Sequence, residues 1–194
     1  RRMRHGKIAP YMTATTPATP ALQSLHSDVL QGPHRPDLIR HECLADIFEA
    51  TAERIPQQTA LVFGDQQLSY GELNALADQA ASHLLAAGVG PGRIVGLCLP
   101  RGLDLLAMQL AIAKTGAAWL PFDADTPTER IKVCLDDAKA VGLVCSNASL
   151  VNFMPAGLLR PVWTAEQLRT KAPPLRRAKG TTTDPAYVIY TSGS

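Results

Sequence analysis

The last nine residues of the chain, "AYVIYTSGS", carry the side chains best suited to chemistry. The apolar run of residues 187–190 predicts a buried strand. The loop that follows this run consists of Thr191, Ser192, Gly193 and Ser194. Hydroxyl groups donate hydrogen bonds, and a glycine lets backbone amides approach an anion closely. Ligands of open parallel sheets bind at the carboxyl ends of the strands, so the pattern predicts a loop that holds phosphate.

The four loop residues alone leave an ordinary Ser/Gly turn open as the alternative. The sequence around them also differs from the Walker loop, because its G-x-x-x-x-G-K-[ST] spacing is not completed within the chain. A phosphate loop is therefore a hypothesis that the rest of the sequence must support.

A second candidate is the pair Asp123 and Asp125, which follows a predicted strand. Two carboxylates at this spacing could bind a metal ion or act as an acid and a base. However, Asp125 directly precedes Thr126, the predicted N-cap of a helix, where a negative charge is favourable. We therefore interpret this pair as helix stabilisation.

No serine, cysteine or histidine has a partner at a spacing typical of nucleophilic catalysis or metal binding. The four cysteines, Cys43, Cys98, Cys134 and Cys145, are widely separated and form no CxxC pair. Three of them fall within apolar patterns, where a thiol behaves as a small hydrophobic group. The sequence therefore predicts reduced structural thiols and no metal site.

Composition excludes several classes of function. The formal net charge is 19 − 17 = +2, which is too small to predict binding to nucleic acid or to an acidic membrane. No apolar run approaches the roughly 18 residues that a spanning helix needs. We expect a cytoplasmic protein with neither a nucleic-acid partner nor a membrane partner.

The order of elements predicts an α/β fold with a mostly parallel sheet. Residues 1–40 are rich in Thr, Pro and Ala and predict a disordered leader, whereas residues 41–194 show regular periods. Two capping boxes predict helix starts, one at Ser69 with Glu72 and one at Thr126 with Glu129. The predicted strands are "TALVFG", "QQLSY", "RIVGLCL", "AAWLPFD", "VGLVCS" and "AYVIY". Between residues 150 and 184 the signal is weak, and the basic stretch "KAPPLRRAKGTTTD" predicts a solvated linker rather than a nucleic-acid patch.

Three motifs, in order, resemble those of the adenylate-forming (AMP-binding) enzymes, and most closely the amino-acid adenylation domains of nonribosomal peptide synthetases. They are "LSYGEL" at 68–73, "AKTGAAWLPFD" at 113–123 and "AYVIYTSGS" at 186–194. The segment "LPFDADTPTERIKVCLDDA" is similar, more faintly, to a poly-lysine-synthetase-like branch. The chain departs from the family pattern at Thr115, Trp119 and Phe122, which we interpret as changes in packing.

The resemblance implies that residues 41–194 are the N-terminal portion of an adenylation domain, part of the large sub-domain and incomplete at the C-terminus. It implies an ATP-dependent ligase that joins an amino acid to AMP and passes it to the phosphopantetheine thiol of a carrier domain. ATP would enter with Mg²⁺ as substrate, and Thr191, Ser192, Gly193 and Ser194 would grip its β- and γ-phosphates. The family's catalytic lysines and Mg²⁺-binding glutamate would lie beyond Ser194, so we expect no catalytic residue in the chain and no activity from it alone.

Two alternatives stay open. A fatty-acyl or aryl CoA ligase has the same fold, although such enzymes more often carry threonine at the position of Ser194. A non-catalytic α/β binding module would keep the fold without the chemistry. The resemblance also predicts an initiating or stand-alone module, because about 40 residues before Leu44 are too few for a condensation domain.

Overall fold

The computed structural model describes residues 33, 35–38, 41–153, 158, 160–177 and 180–191. The predicted leader lies almost entirely outside these residues and stays a prediction. By its internal packing the chain divides after Ile39. In the first unit, Pro36–Leu38 forms a single turn of 3₁₀ helix, beside which Arg35 pairs with Asp37 at 2.7 Å. The second unit holds all the other described elements.

The helices and strands of the second unit alternate along the chain. In order they are α1 (Leu44–Arg54), β1 (Thr59–Phe63), β2 (Gln66–Ser69), α2 (Tyr70–Ala86), β3 (Ile94–Cys98), α3 (Leu103–Lys114), β4 (Ala118–Phe122), α4 (Thr128–Asp137), β5 (Gly142–Cys145), α5 (Asn147–Phe153), β6 (Val162–Thr164) and α6 (Ala165–Leu168). Strands β3 to β6 form one parallel sheet in the order β4-β3-β5-β6. The predicted α/β class with a parallel sheet is confirmed.

Helices cover both faces of this sheet. On β5, Val144 points into a core shared with α2 and α3, whereas Leu143 and Cys145 point into a second core shared with α4. Successive side chains of a strand alternate between faces, so a strand buried on both sides needs apolar residues throughout. This requirement explains the unbroken apolar runs of β3 and β5.

Gly142 makes room for a tryptophan between β5 and β6. A Cβ atom placed on Gly142 would lie 2.2 Å from Cζ3 of the Trp163 ring and 2.9 Å from the backbone oxygen of Pro161. No side chain fits in that space without displacing the ring or the backbone. The indole of Trp163 is therefore packed against the backbone of the neighbouring strand.

The two strands before the sheet form a separate antiparallel hairpin, β1 with β2. The predicted capping box is present where this hairpin meets α2. The backbone N–H of Ser69 donates to the Glu72 carboxylate at 2.8 Å, and the N–H of Glu72 donates to the Ser69 hydroxyl at 3.3 Å. These bonds satisfy amide groups that have no partner within the helix, which explains why α2 begins here.

The second predicted capping box is wrong. Helix α4 begins at Thr128, and Pro127 at its N-cap provides no side-chain hydrogen bond. Thr126 lies in a turn instead, with its N–H donating to the backbone oxygen of Asp123 at 3.0 Å. The tight turn after β4 uses the residue that the sequence pattern assigned to the cap.

Two short elements, α5 and β6, were not predicted. Helix α6 begins with a capping box of its own, in which Thr164 and Gln167 exchange bonds of 3.1 and 3.2 Å. All four cysteines are free thiols, and Cys98, Cys134 and Cys145 are buried, as predicted. Within the described residues, no helix combines the length and the apolar character needed to cross a membrane.

Candidate functional site

The segment that leads to the predicted phosphate loop lies beside β4, at the edge of the sheet. Trp119 of β4 donates its N–H to the backbone oxygen of Ala186 at 3.2 Å and accepts from the N–H of Val188 at 2.9 Å. This contact is a parallel bridge centred on Trp119 and Tyr187. The chain therefore runs in the direction of β4 and approaches the carboxyl ends of the strands, where sheet ligands bind.

The prediction of a buried strand for this segment is wrong in two respects. The structure assigns a bridge here, not a strand, and the side chains of Tyr187 and Ile189 are 56% and 59% exposed. Val188 and Tyr190, on the opposite side, pack against the core beneath α4. Apolar sequence is not enough for burial, because a strand also needs a covering layer on each face, and the described residues supply one on a single face.

Tyr190 anchors the segment to the end of α4. Its hydroxyl donates to the Asp137 carboxylate and lies 3.4 Å from the backbone oxygen of Cys134. The hydrogen bond to Asp137, followed by desolvation and the carboxylate charge, raises the pKa of Tyr190 to about 12. Asp137 is therefore engaged with the segment directly before Thr191.

Of the predicted loop residues, Thr191 is described and exposed, whereas Ser192, Gly193 and Ser194 lie outside the described residues. Asp123 follows β4 at the same edge of the sheet, and its backbone oxygen accepts a weak bond from the Cys98 thiol at 3.6 Å. Throughout the described part of the chain, no group of three or more His, Cys, Asp or Glu side chains could hold a metal ion.

The second motif forms the platform on which the third motif rests. Gly116 has φ +80°, and a Cβ there would lie 2.9 Å from Cγ of Pro91 and near the backbone N of Gly180. Only glycine adopts this backbone conformation without strain. Together with the bridge at Trp119, this close approach means that the "AKTGAAWLPFD" stretch touches the incoming chain at two separate points.

A model of the family described as "AMP-binding enzyme" matches residues 48–194, which is more than half of the chain. The chain belongs to the AMP-binding enzyme family. The assignment agrees with the geometry, since the two later family motifs lie against each other along the edge strand β4.

Known proteins that resemble this chain include a synthetase and a nonribosomal peptide synthase. Delta-poly-L-ornithine synthetase of Acinetobacter baumannii (strain AB307-0294) is 48% identical over 168 residues, covering 86% of this chain and 12% of that protein. The dimodular nonribosomal peptide synthase of Bacillus subtilis (strain 168) is 38% identical, covering 80% of this chain and 7% of that protein. The chain thus spans a small part of the length of these relatives.

A solved structure of a nonribosomal peptide synthetase is also similar to this chain. The nonribosomal peptide synthetase FmoA3, in a form bound to α-methyl-L-serine-AMP, matches with a TM-score of 0.73 and 32% identity. The match covers 80% of this chain and 18% of that one. The resemblance to nonribosomal peptide synthetase adenylation domains, drawn from three motifs, is confirmed.

Sequence reasoning missed a buried cation in this family member. The ammonium group of Lys114, at the end of α3, is fully buried and donates to Glu49 and Asp78 at 2.6 Å each and to the side-chain oxygen of Asn74 at 2.9 Å. Burying a charge is costly unless it is paired and hydrogen-bonded, and all three donor hydrogens of this ammonium have acceptors. The sequence signal that could have revealed this buried cation is a lysine at the end of a mostly apolar helix.

The basic stretch before the third motif is also more firmly held than a solvated linker. Arg177 pairs with Glu49 at 2.7 Å and with Asp46 at 2.6 Å, and its side chain is 18% exposed. Upstream, the hydroxyl of Ser82 donates to the backbone oxygen of Pro173 at 2.8 Å. The stretch is irregular, as predicted, but it is fastened to α1 and α2.

A cavity of about 630 Å³ lies elsewhere, between the hairpin, the start of α3 and α6. Three of its four charged side chains are engaged with the protein, and the fourth is that of Arg101. Arg169 pairs with Asp104 at 2.9 Å, and the Glu166 carboxylate accepts the N–H of Asn147 at 3.2 Å. Internal pairing therefore accounts for most of the charged lining of this cavity.

Proposed function

We propose that this chain supplies the first part of an enzyme that activates an amino acid with ATP. In the proposed reaction, a carboxylate oxygen of the amino acid attacks the α-phosphorus of ATP. The bond to the bridging oxygen breaks, pyrophosphate leaves, and an aminoacyl-AMP forms. The aminoacyl group then passes to the phosphopantetheine thiol of a carrier domain, and AMP is released.

The observation that carries this proposal is the placement of the segment Ala186–Thr191. It runs parallel to β4 and delivers Thr191 towards the carboxyl ends of the strands. Thr191, Ser192, Gly193 and Ser194 would then hold the β- and γ-phosphates through hydroxyl and amide donors. Catalysis of this kind depends on positioning the reactants and on stabilising charge on the phosphate oxygens.

In this proposal Mg²⁺ enters with ATP as substrate, and the carrier domain and the amino acid are the partners. The described residues offer no cluster of metal ligands, so no step is assigned to a metal held by this chain. We also keep the proposal that residues 41–194 are the N-terminal portion of the adenylation domain, preceded by a leader, with catalytic residues supplied from outside this chain and the chain inactive alone.

The substrate is proposed from the relatives. Ornithine heads the candidates, because the relative with 48% identity is named for poly-L-ornithine. Lysine is the second candidate, since it differs from ornithine by one methylene group and carries the same charges.

The test is pyrophosphate–ATP exchange by the full-length enzyme that contains this chain, with a panel of amino, fatty and aryl acids. We expect exchange with an amino acid and the strongest signal with a basic one. Exchange with fatty or aryl acids alone would overturn the substrate class in favour of a CoA ligase. A total lack of exchange with every acid, from folded protein, would favour the non-catalytic alternative.

A further inference from the structure

The loop that follows α6 is fastened to the helices at successive points before it reaches the sheet. The backbone oxygen of Thr170 lies 3.1 Å from Nε2 of His83, and that of Pro173 accepts from Ser82. Arg177 then pairs with α1. Nine residues later, Ala186 meets β4. The path of this loop therefore determines where the segment Ala186–Thr191 begins.

The carboxylate of Glu49 bonds to both of the chains that meet at the bridge between Trp119 and Tyr187, which we call the junction. Oε1 of Glu49 accepts from the Lys114 ammonium at 2.6 Å, and Oε2 accepts from Nη1 of Arg177 at 2.7 Å. Lys114 lies five residues before Trp119, on the chain that forms β4. Arg177 lies on the chain that forms the neighbouring segment. The two chains that meet at Trp119 are thus both tied, shortly upstream, to Glu49.

This shared tie matters because the junction itself is slight. Two backbone hydrogen bonds join the segment to β4, compared with the five-residue pairing between β3 and β4. A contact with so few bonds opens locally at low cost in free energy. The position of the segment then depends on the constraints on the chain just before it, together with the anchor that Tyr190 provides at the other end. The Glu49 side chain is 27% exposed, and charge pairs that are partly shielded from water are stronger than those on the open surface.

We propose that Glu49 is a positioning residue for ATP: by holding Lys114 and Arg177 together, it sets the segment Ala186–Thr191 against β4 and so places the phosphate loop that follows. The inference rests on the proposed function for its effect on ATP. The structural part of the inference, that Glu49 restrains residues 181–191, does not depend on catalysis.

Asp78 provides a matched control. It contacts the same ammonium at the same 2.6 Å, and its side chain is 35% exposed, but no contact with Arg177 is among its described bonds. Glu49→Gln and Asp78→Asn each remove one negative charge from Lys114 while keeping the shape of the side chain. Only the first also weakens the tie to the loop. A general loss of stability would affect both variants.

The experiment compares Glu49→Gln, Asp78→Asn and Arg177→Met in the full-length enzyme. We expect Glu49→Gln and Arg177→Met to raise the KM for ATP about three- to tenfold, as for coupled residues in one network, with the KM for the amino acid unchanged. The double variant should be no worse than either single one. Asp78→Asn should leave the KM for ATP within about twofold of the wild type, because no contact with Arg177 is among the described bonds of Asp78.

Amide hydrogen exchange of residues 181–191 is the second readout. It should accelerate in Glu49→Gln and Arg177→Met and stay at the wild-type rate in Asp78→Asn. Equal behaviour of Glu49→Gln and Asp78→Asn in hydrogen exchange would overturn the positioning role. If the wild type shows no pyrophosphate exchange, the proposed function fails, and the hydrogen-exchange comparison still decides whether Glu49 restrains the segment.

Discussion

Two apolar runs of similar composition behave differently in this fold, one at the centre of the sheet and one at its edge. Strand β3 pairs with a neighbour on each side, and four of its five residues are buried. The run of residues 187–190 meets β4 through one bridge and leaves every second side chain exposed. The comparison teaches that apolar residues favour an extended chain, whereas the neighbours decide whether that chain becomes a buried strand.

The largest effect on the free energy of unfolding is expected at the centre of the sheet. Leu97 of β3 has no exposed surface, so Leu97→Ala leaves a cavity and should lower the free energy of unfolding by about 3 kcal/mol. Urea unfolding of the chain measures the change. Leu97→Met, which preserves volume, is the control and should cost less than about 1.5 kcal/mol. Equal losses for the two variants would show that volume at this position is not what stabilises the sheet.

The next largest effect is expected for Lys114, the buried cation that lies shortly before edge strand β4. Lys114→Met keeps the length of the side chain but leaves Asp78 without a cation and leaves Glu49 paired with Arg177 alone. Breaking a buried pair from one side costs about 3–5 kcal/mol, and the partial exposure of both carboxylates lowers our expectation to about 2 kcal/mol. Lys171→Met, on the exposed loop, should change the free energy of unfolding by less than about 0.5 kcal/mol. A more stable Lys114→Met protein would contradict the prediction.

A smaller effect concerns pH at the edge segment. The pKa of Tyr190 is raised from 10.0 to about 12, first by its hydrogen bond to Asp137, so the folded state favours the neutral phenol. Its contribution to stability should be complete below pH 10 and should be lost as the pH rises through about 12. Tyrosinate absorbance should show a late ionisation that Tyr190→Phe abolishes.

Asp137→Asn separates the cause of this shift from simple burial. Removing the carboxylate charge should move the late ionisation to lower pH, because the neutral amide no longer favours the protonated phenol. Tyr187→Phe should leave that ionisation in place. An unchanged late transition in Asp137→Asn would assign the shift to desolvation instead.

The smallest effect is expected on the exposed side of the edge run. The side chain of Ile189 is 59% exposed, so Ile189→Ala should change the free energy of unfolding of the chain by less than about 0.5 kcal/mol. This value is to be compared with that for Leu97→Ala under the same conditions. Similar costs for the two would show that the edge run is covered in solution and would remove the contrast between the two regions.

Local features of the fold were predictable from the sequence. The apolar runs of β3 and β5 and the Ser69–Glu72 capping box depend on residues within a few positions of one another. The Thr126 cap followed the same local rule and was wrong, since a turn after β4 used Thr126 differently. Local rules identify the structure that a segment favours, but a competing local structure, such as this turn, can form in its place.

Long-range features were not predictable. Lys114 is separated from Asp78, Asn74 and Glu49 by 36, 40 and 65 positions, so no pattern in the sequence joins them. The exposure of the edge run likewise depends on which elements lie over it. At the candidate site, the sequence identified the residues of the third motif. Its contact with the second motif, at Trp119, became visible only in the structure.

The contact between Trp119 and Tyr187, with ring centroids 5.7 Å apart, gives this molecule a built-in optical reporter. The chain has two tryptophans, and the other, Trp163, is packed against Gly142 between β5 and β6. Detachment of the edge segment would change the emission of Trp119 while that of Trp163 stayed constant. Single-tryptophan versions would therefore distinguish, by fluorescence alone, an edge that opens from a protein that unfolds.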